Sequence, residues 1–200
     1  MNKVRVHYDD NLSYYEIAYF FKDYINEDTI IVCIGTDRCI GDCLGPLVGT
    51  MLTLKNFPIK VYGTISNPIH ALNIDKKLKE IKHLYPNCNI IGIDACLGNE
   101  KNIGEIQART SPIHPGKGVG KSLPNVGETS IIGIVDSSDS NELFTNRNIR
   151  LDLIVNMSKV IVHSLIHAYY LYQLKNREND WVQYKTPYNK IIGRFILSID

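Results

Sequence analysis

The chain has almost no excess of either charge: 22 Lys plus Arg stand against 21 Asp plus Glu, a net charge of +1 over 200 residues. Phosphate contacts need a basic surplus, so that balance argues against a nucleic-acid partner. No apolar run approaches the roughly 18 residues of a membrane span, which argues against a membrane partner. Residues 1–10 contain no apolar signal core either. The cysteines number five, with no Cys-x-x-Cys pair. In a chain without a signal they read as reduced thiols, small and hydrophobic, and not as a disulfide framework or a zinc knuckle. Internal repeats, low-complexity tracts and long linkers are also missing. What remains is ordinary globular material, 44% hydrophobic and 22% charged, which excludes disorder and collagen-like structure. At this length the chain has room for one domain and hardly two, and it buries enough surface to fold without a staple. The expectation is a single cytoplasmic domain over residues 1–200.

Along the chain, apolar strand-like runs alternate with amphipathic stretches. Asp10 or Asn11 can cap a helix whose apolar positions Tyr14, Ile17, Ala18 and Phe21 recur at helical spacing. Residues 29–34 read as a strand buried on both faces, ending at Gly35. A polar loop follows, and Pro46 suits the first turn of a helix reaching about Phe57. A strand over 59–65 leads through Asn67-Pro68-Ile69-His70 to a helix with Ala71, Ile74, Leu78, Ile81 and Tyr85 on one stripe. The strand over 89–93 ends in Asp94-Ala95-Cys96-Leu97-Gly98, and residues 104–109 alternate like a half-covered or edge strand. Residues 111–128 form a Gly/Pro-rich loop of a length that is usually functional. Residues 130–135 read as a further buried strand ending in Asp136, and a helix from about Leu151 to Leu174 closes the core. This alternation predicts an α/β fold, a three-layer α/β/α sandwich with a mostly parallel sheet. Ligands of such sheets lie outside the carboxyl ends of the strands, where Asp37, Asp42, Asp94 and Asp136 are expected.

The first constellation is the pair Asp42 and Asp94. Two carboxyls that converge can share a proton, so that one serves as base toward a water while the other donates. Its bland alternative is a helix cap at Asp42 and a turn brace at Asp94. The second is Pro115-Gly116-Lys117-Gly118-Val119-Gly120-Lys121-Ser122, which imitates a phosphate-binding loop and fails in detail. Three residues, not four, separate Gly116 from Gly120-Lys121-Ser122, Pro115 stands where the first glycine belongs, and Pro124 leaves no room for the following helix. A backbone-rich loop beside a substrate is the functional alternative. His163 and His167 are four apart, but Ser164 replaces the glutamate of a metalloprotease helix, which leaves packed core histidines. His70 and His114, both in loops after strands, are better placed for a site.

Three blocks in order carry a family resemblance. Asp42-Cys43-Leu44-Gly45-Pro46 resembles the Asp-x-Leu-Gly-Pro segment of the spore germination protease. Gly92-Ile93-Asp94-Ala95-Cys96-Leu97 is similar to its second aspartate segment, and Ile113-His114-Pro115-Gly116-Lys117-Gly118-Val119-Gly120 to its Ile-His-Pro-Gly loop. Overall the chain resembles the YyaC-type proteins of endospore formers over about residues 30–174, with the first helix and the tail after Asn176 peripheral. The resemblance implies the fold shared by the germination protease and the hydrogenase maturation proteases, and an atypical aspartic peptidase with Asp42 and Asp94 catalytic. It implies no required cofactor. The metal-binding relatives suggest an alternative in which Asp42, Asp94 and His114 or His70 hold a divalent ion and assist a maturation-type cleavage. The expected partner is a protein or peptide of the developing spore, held by Asp37, His114, Gly116, Gly118 and Gly120. The expected place is the cytoplasm of the forespore, and a homo-oligomer is compatible with all of this. A non-catalytic binding protein that keeps the fold is the rival of another class.

Overall fold

The computed structural model describes residues 3–115, 123–138 and 147–195, with side chains described up to residue 176. Among the described residues six strands form one sheet: β1 (Lys3–His7), β2 (Thr29–Cys33), β3 (Lys60–Tyr62), β4 (Asn89–Gly98), β5 (Glu105–Arg109) and β6 (Thr129–Ser137). Their spatial order is β1-β5-β6-β4-β2-β3. β3, β2, β4 and β6 are mutually parallel, and β5 pairs antiparallel with both β6 and β1. The sheet is therefore mixed, with β5 alone running against the other strands.

Helices α1 (Ser13–Phe21), α2 (Leu44–Leu54) and α4 (Leu151–Phe195) cover one face. There Ile17, Phe21, Val48, Leu52, Ile154, Met157 and Ile161 pack with Ile31, Ile91, Ile93 and Ile131 of the sheet. Helix α3 (Ile74–Leu84) covers the other face, where Ile74, Leu78 and Ile81 pack with Ile30, Val32 and Ile90. The period-two alternation of each central strand thus feeds two separate cores, which is why these strands are apolar throughout. Residues Leu151–Asn176 are long and apolar enough for a membrane span by composition. Ile154, Met157, Ile161, Val162, Leu165 and Ala168 are nevertheless buried in the core that this helix shares with α1, α2 and the sheet, as in a core helix.

Four expectations need correction. Residues 3–7 form a strand where none was expected. Val4 and Val6 point to the core while Lys3, Arg5 and His7 alternate outward, a pattern that becomes decisive only once β5 offers a ladder. With β1 outside it, β5 is an interior strand and not an edge. β4 and β6 run further than the apolar runs that begin them, so Asp94 and Asp136 lie within strands and not after them. The last helix continues well past Leu174, to Phe195.

Candidate active site

The connection leaving β2 travels through α2 to β3 on one side, and β4 continues toward β5 and β6 on the other. The strand order reverses between β2 and β4, so a crevice opens beyond their carboxyl ends. Both members of the carboxylate pair flank it. The β2–β4 ladder ends at Cys33 opposite Ile93, with one further bond from the Ile34 N–H to the Ile93 carbonyl at 2.8 Å. Asp94 is the next residue of β4, level with the point where its neighbour stops.

Asp42 reaches the same place through a tight turn. Gly35 has φ +133° and its N–H donates to the Ile69 carbonyl at 2.8 Å. A Cβ there would lie 2.0 Å from the Asp42 carbonyl oxygen, so only glycine lets the 3-10 turn Ile40–Cys43 close onto the strand end. The Thr36 N–H then donates to the Asp42 carbonyl at 3.0 Å and fixes the turn.

The charge of Asp42 reaches Asp94. Burial pushes Asp42 up to about 6, against the pull of the Thr36 backbone. Asp94 is raised well above the ordinary carboxylate range, first by burial and then by the charge of Asp42. Its Oδ1 accepts the Ala95 N–H at 2.9 Å, which opposes the rise. Cys96, two residues on, is held up to about 11 by burial first and by the Asp94 charge second, so it stays a thiol at neutral pH. Burial, followed by Asp37 and then Asp42, also raises Cys43. This is a site that stores a proton on one carboxyl beside a second of intermediate acidity.

The remaining expected residues are placed differently. Asp37 is exposed on the loop before the turn. His70 is half-buried beside the Gly35 contact, and its Nδ1 accepts the Leu72 N–H at 3.3 Å. Ile113 bridges Val126 and reaches the sheet at Gly92, where a Cβ would come within 2.7 Å of Ile113 Cδ1. His114, the next residue, is exposed, and its ring Nδ1 lies 2.6 Å from Asn125 Oδ1. Gly116, Gly118 and Gly120, with Lys117 and Lys121, lie outside the described residues. Among the described residues no three His, Cys, Asp or Glu side chains gather as a metal-ligand set. Cys96, which the sequence already sets two residues after Asp94 on the strand-end edge, does lie within reach of the Asp94 charge.

Fold and site define an α/β protein with a coupled carboxylate pair at a topological switch point. The chain belongs to the family described as a protein of unknown function, DUF1256, whose pattern matches residues 5–164. It is 42% identical over 167 residues to the uncharacterized protein YyaC of Bacillus subtilis (strain 168), covering 82% of this chain and 78% of that one. No solved structure matches the chain.

Proposed function

We propose that this protein is a peptidase of the developing spore that hydrolyses a peptide bond with the Asp42/Asp94 pair. One observation carries the reading: Asp42 on the turn after β2 and Asp94 within β4 lie in electrostatic reach of each other at the switch-point crevice, and each has its pKa shifted upward. In this reading Asp42 is the ionised partner and the more deeply buried Asp94 carries the shared proton. Asp42 takes a proton from a water whose oxygen bonds to the scissile carbonyl carbon. Asp94 gives its proton to the departing amine nitrogen as the C–N bond breaks. The two products are a carboxylic acid and an amine, and proton exchange between the pair restores the starting state.

The finer assignments rest on the resemblance to the germination protease and the hydrogenase maturation proteases. They are a shared fold, a small spore protein as substrate, and work in the forespore cytoplasm. Incubation of the purified chain with proteins extracted from spores, with and without chelator, tests the proposal. Cleavage that survives chelation supports the carboxylate pair. Cleavage lost on chelation and restored by a divalent ion replaces it with metal-assisted hydrolysis. No cleavage under either condition turns the reading to a binding protein.

A further inference from the structure

At the candidate site β4 has a stretch that no described strand pairs on its β2 side. β2 pairs with it only as far as Ile93, whereas β6 stays with it from Ile91 to Gly98. Main-chain groups alternate sides along a strand. The Ile93 carbonyl faces β2, so those of Ala95 and Leu97 face the same way, where no described strand continues. Burial follows the same division: residues 90–93 are buried, and 94–98 are half-buried throughout. Asp94 Oδ1 accepts the Ala95 N–H, whereas Leu97 has only the open side to turn its N–H and carbonyl toward. A register shift at Cys96/Leu97 lies in the β4–β6 ladder beside this stretch, a device that often re-aims a strand next to an active site.

We infer that this open half of β4 binds the substrate main chain as an added strand, with the peptide running alongside residues 95–98 and meeting the carboxylate pair at Asp94. The inference rests on the peptidase reading and sets the substrate class: an extended, unfolded segment held by its backbone, tolerant of side chains and intolerant of proline opposite Leu97. An unpaired ladder edge is a ready template for an incoming strand. Here it begins at the group that would protonate the leaving amine, so main-chain pairing would carry a peptide bond directly to the pair.

The probe is casein, a natively unfolded chain. Amide hydrogen exchange is followed on the full-length Asp42→Asn protein, so that bound casein persists, and cleavage kinetics on Leu97→Pro and Leu97→Ala in the otherwise native chain. Saturating casein is expected to slow exchange at Leu97 about tenfold, the effect of one added main-chain hydrogen bond of about 1.4 kcal/mol. Leu97→Pro removes that donor without touching the β6 side and should raise KM for casein about fivefold to tenfold with kcat unchanged, whereas Leu97→Ala stays within about twofold. Unchanged exchange over 95–98 with casein bound overturns the inference, as do equal effects of proline and alanine, or no casein binding at all. Should the proline variant not fold, the exchange measurement decides. Protection at Leu97 without any cleavage by the native chain would remove the peptidase reading and leave strand docking standing. Cleavage without protection would do the reverse.

Discussion

A carboxyl whose acidity is weakened by burial costs folding free energy once it ionises, and Asp42 and Asp94 make that cost measurable. Both are raised above their ordinary value of 3.8, Asp42 to about 6, with burial the leading cause for each. The folded chain therefore binds protons more tightly than the unfolded chain. Stability contributed by these groups is fully present below about pH 4 and is lost as pH rises through about 6 for Asp42 and through the raised range of Asp94. Asparagine carries no such penalty. Calorimetry on Asp42→Asn and Asp94→Asn should show their Tm gaining on the native chain as pH is taken from 4 to 7, and a parallel pH dependence in all three would refute the shifts. In the cleavage assay each substitution should abolish turnover, with the double variant hardly slower than either single, because the two groups act as one proton-passing unit. The native rate should rise with pH through about 6 as Asp42 ionises, and fall where Asp94 loses its proton. The candidate pair was legible from sequence, since both aspartates follow apolar strand runs. Their acidity was not, because burial and mutual charge are properties of the assembled crevice.

At the scale of elements, the site depends on one glycine. Gly35 holds φ +133° with the Asp42 carbonyl where its side chain would be. Gly35→Ala should cost about 1–3 kcal/mol in backbone strain, with further loss from displacement of the Ile40–Cys43 turn that carries Asp42. Urea unfolding gives the stability change, and cleavage should fall far more than the small change in side chain suggests. A variant with native stability and native cleavage would show that the turn does not position Asp42. Sequence placed the central strands and helices α1 to α3 close to their true positions because apolar runs bounded by Gly, Pro and polar turns act locally. It missed β1 because Lys3-Val4-Arg5-Val6-His7 is too short and too charged to pair by itself, and needs β5 beside it.

At the scale of the molecule, a buried cation ties the carboxyl edge to the chain that enters the long helix. Arg147, 3% exposed, donates from Nη1 to Asp136 Oδ2 at 2.9 Å and to the Ser137 carbonyl at 2.6 Å. This joins the chain just before α4 to the end of β6, next to the half of β4 that borders the crevice. Arg147→Ala should lower stability by about 3 kcal/mol, since it strands a partly buried carboxylate and leaves a gap. The urea midpoint measures this, and a loss below about 0.5 kcal/mol would mean that the pair behaves as a solvated surface contact.

The sequence by itself determined the α/β class and the two-sided burial of the central strands, and it singled out the two aspartates as the candidate pair. Each of these follows from side-chain character over a few consecutive residues. The tertiary structure decided the rest: the mixed sheet with β5 reversed, the turn that brings Asp42 to Asp94, the outward pairing of His114 with Asn125, and the half of β4 that β2 leaves bare. The reason is physical. Ladder partners, burial and the field of a neighbouring charge are set by residues tens of positions apart, and no local pattern carries that information.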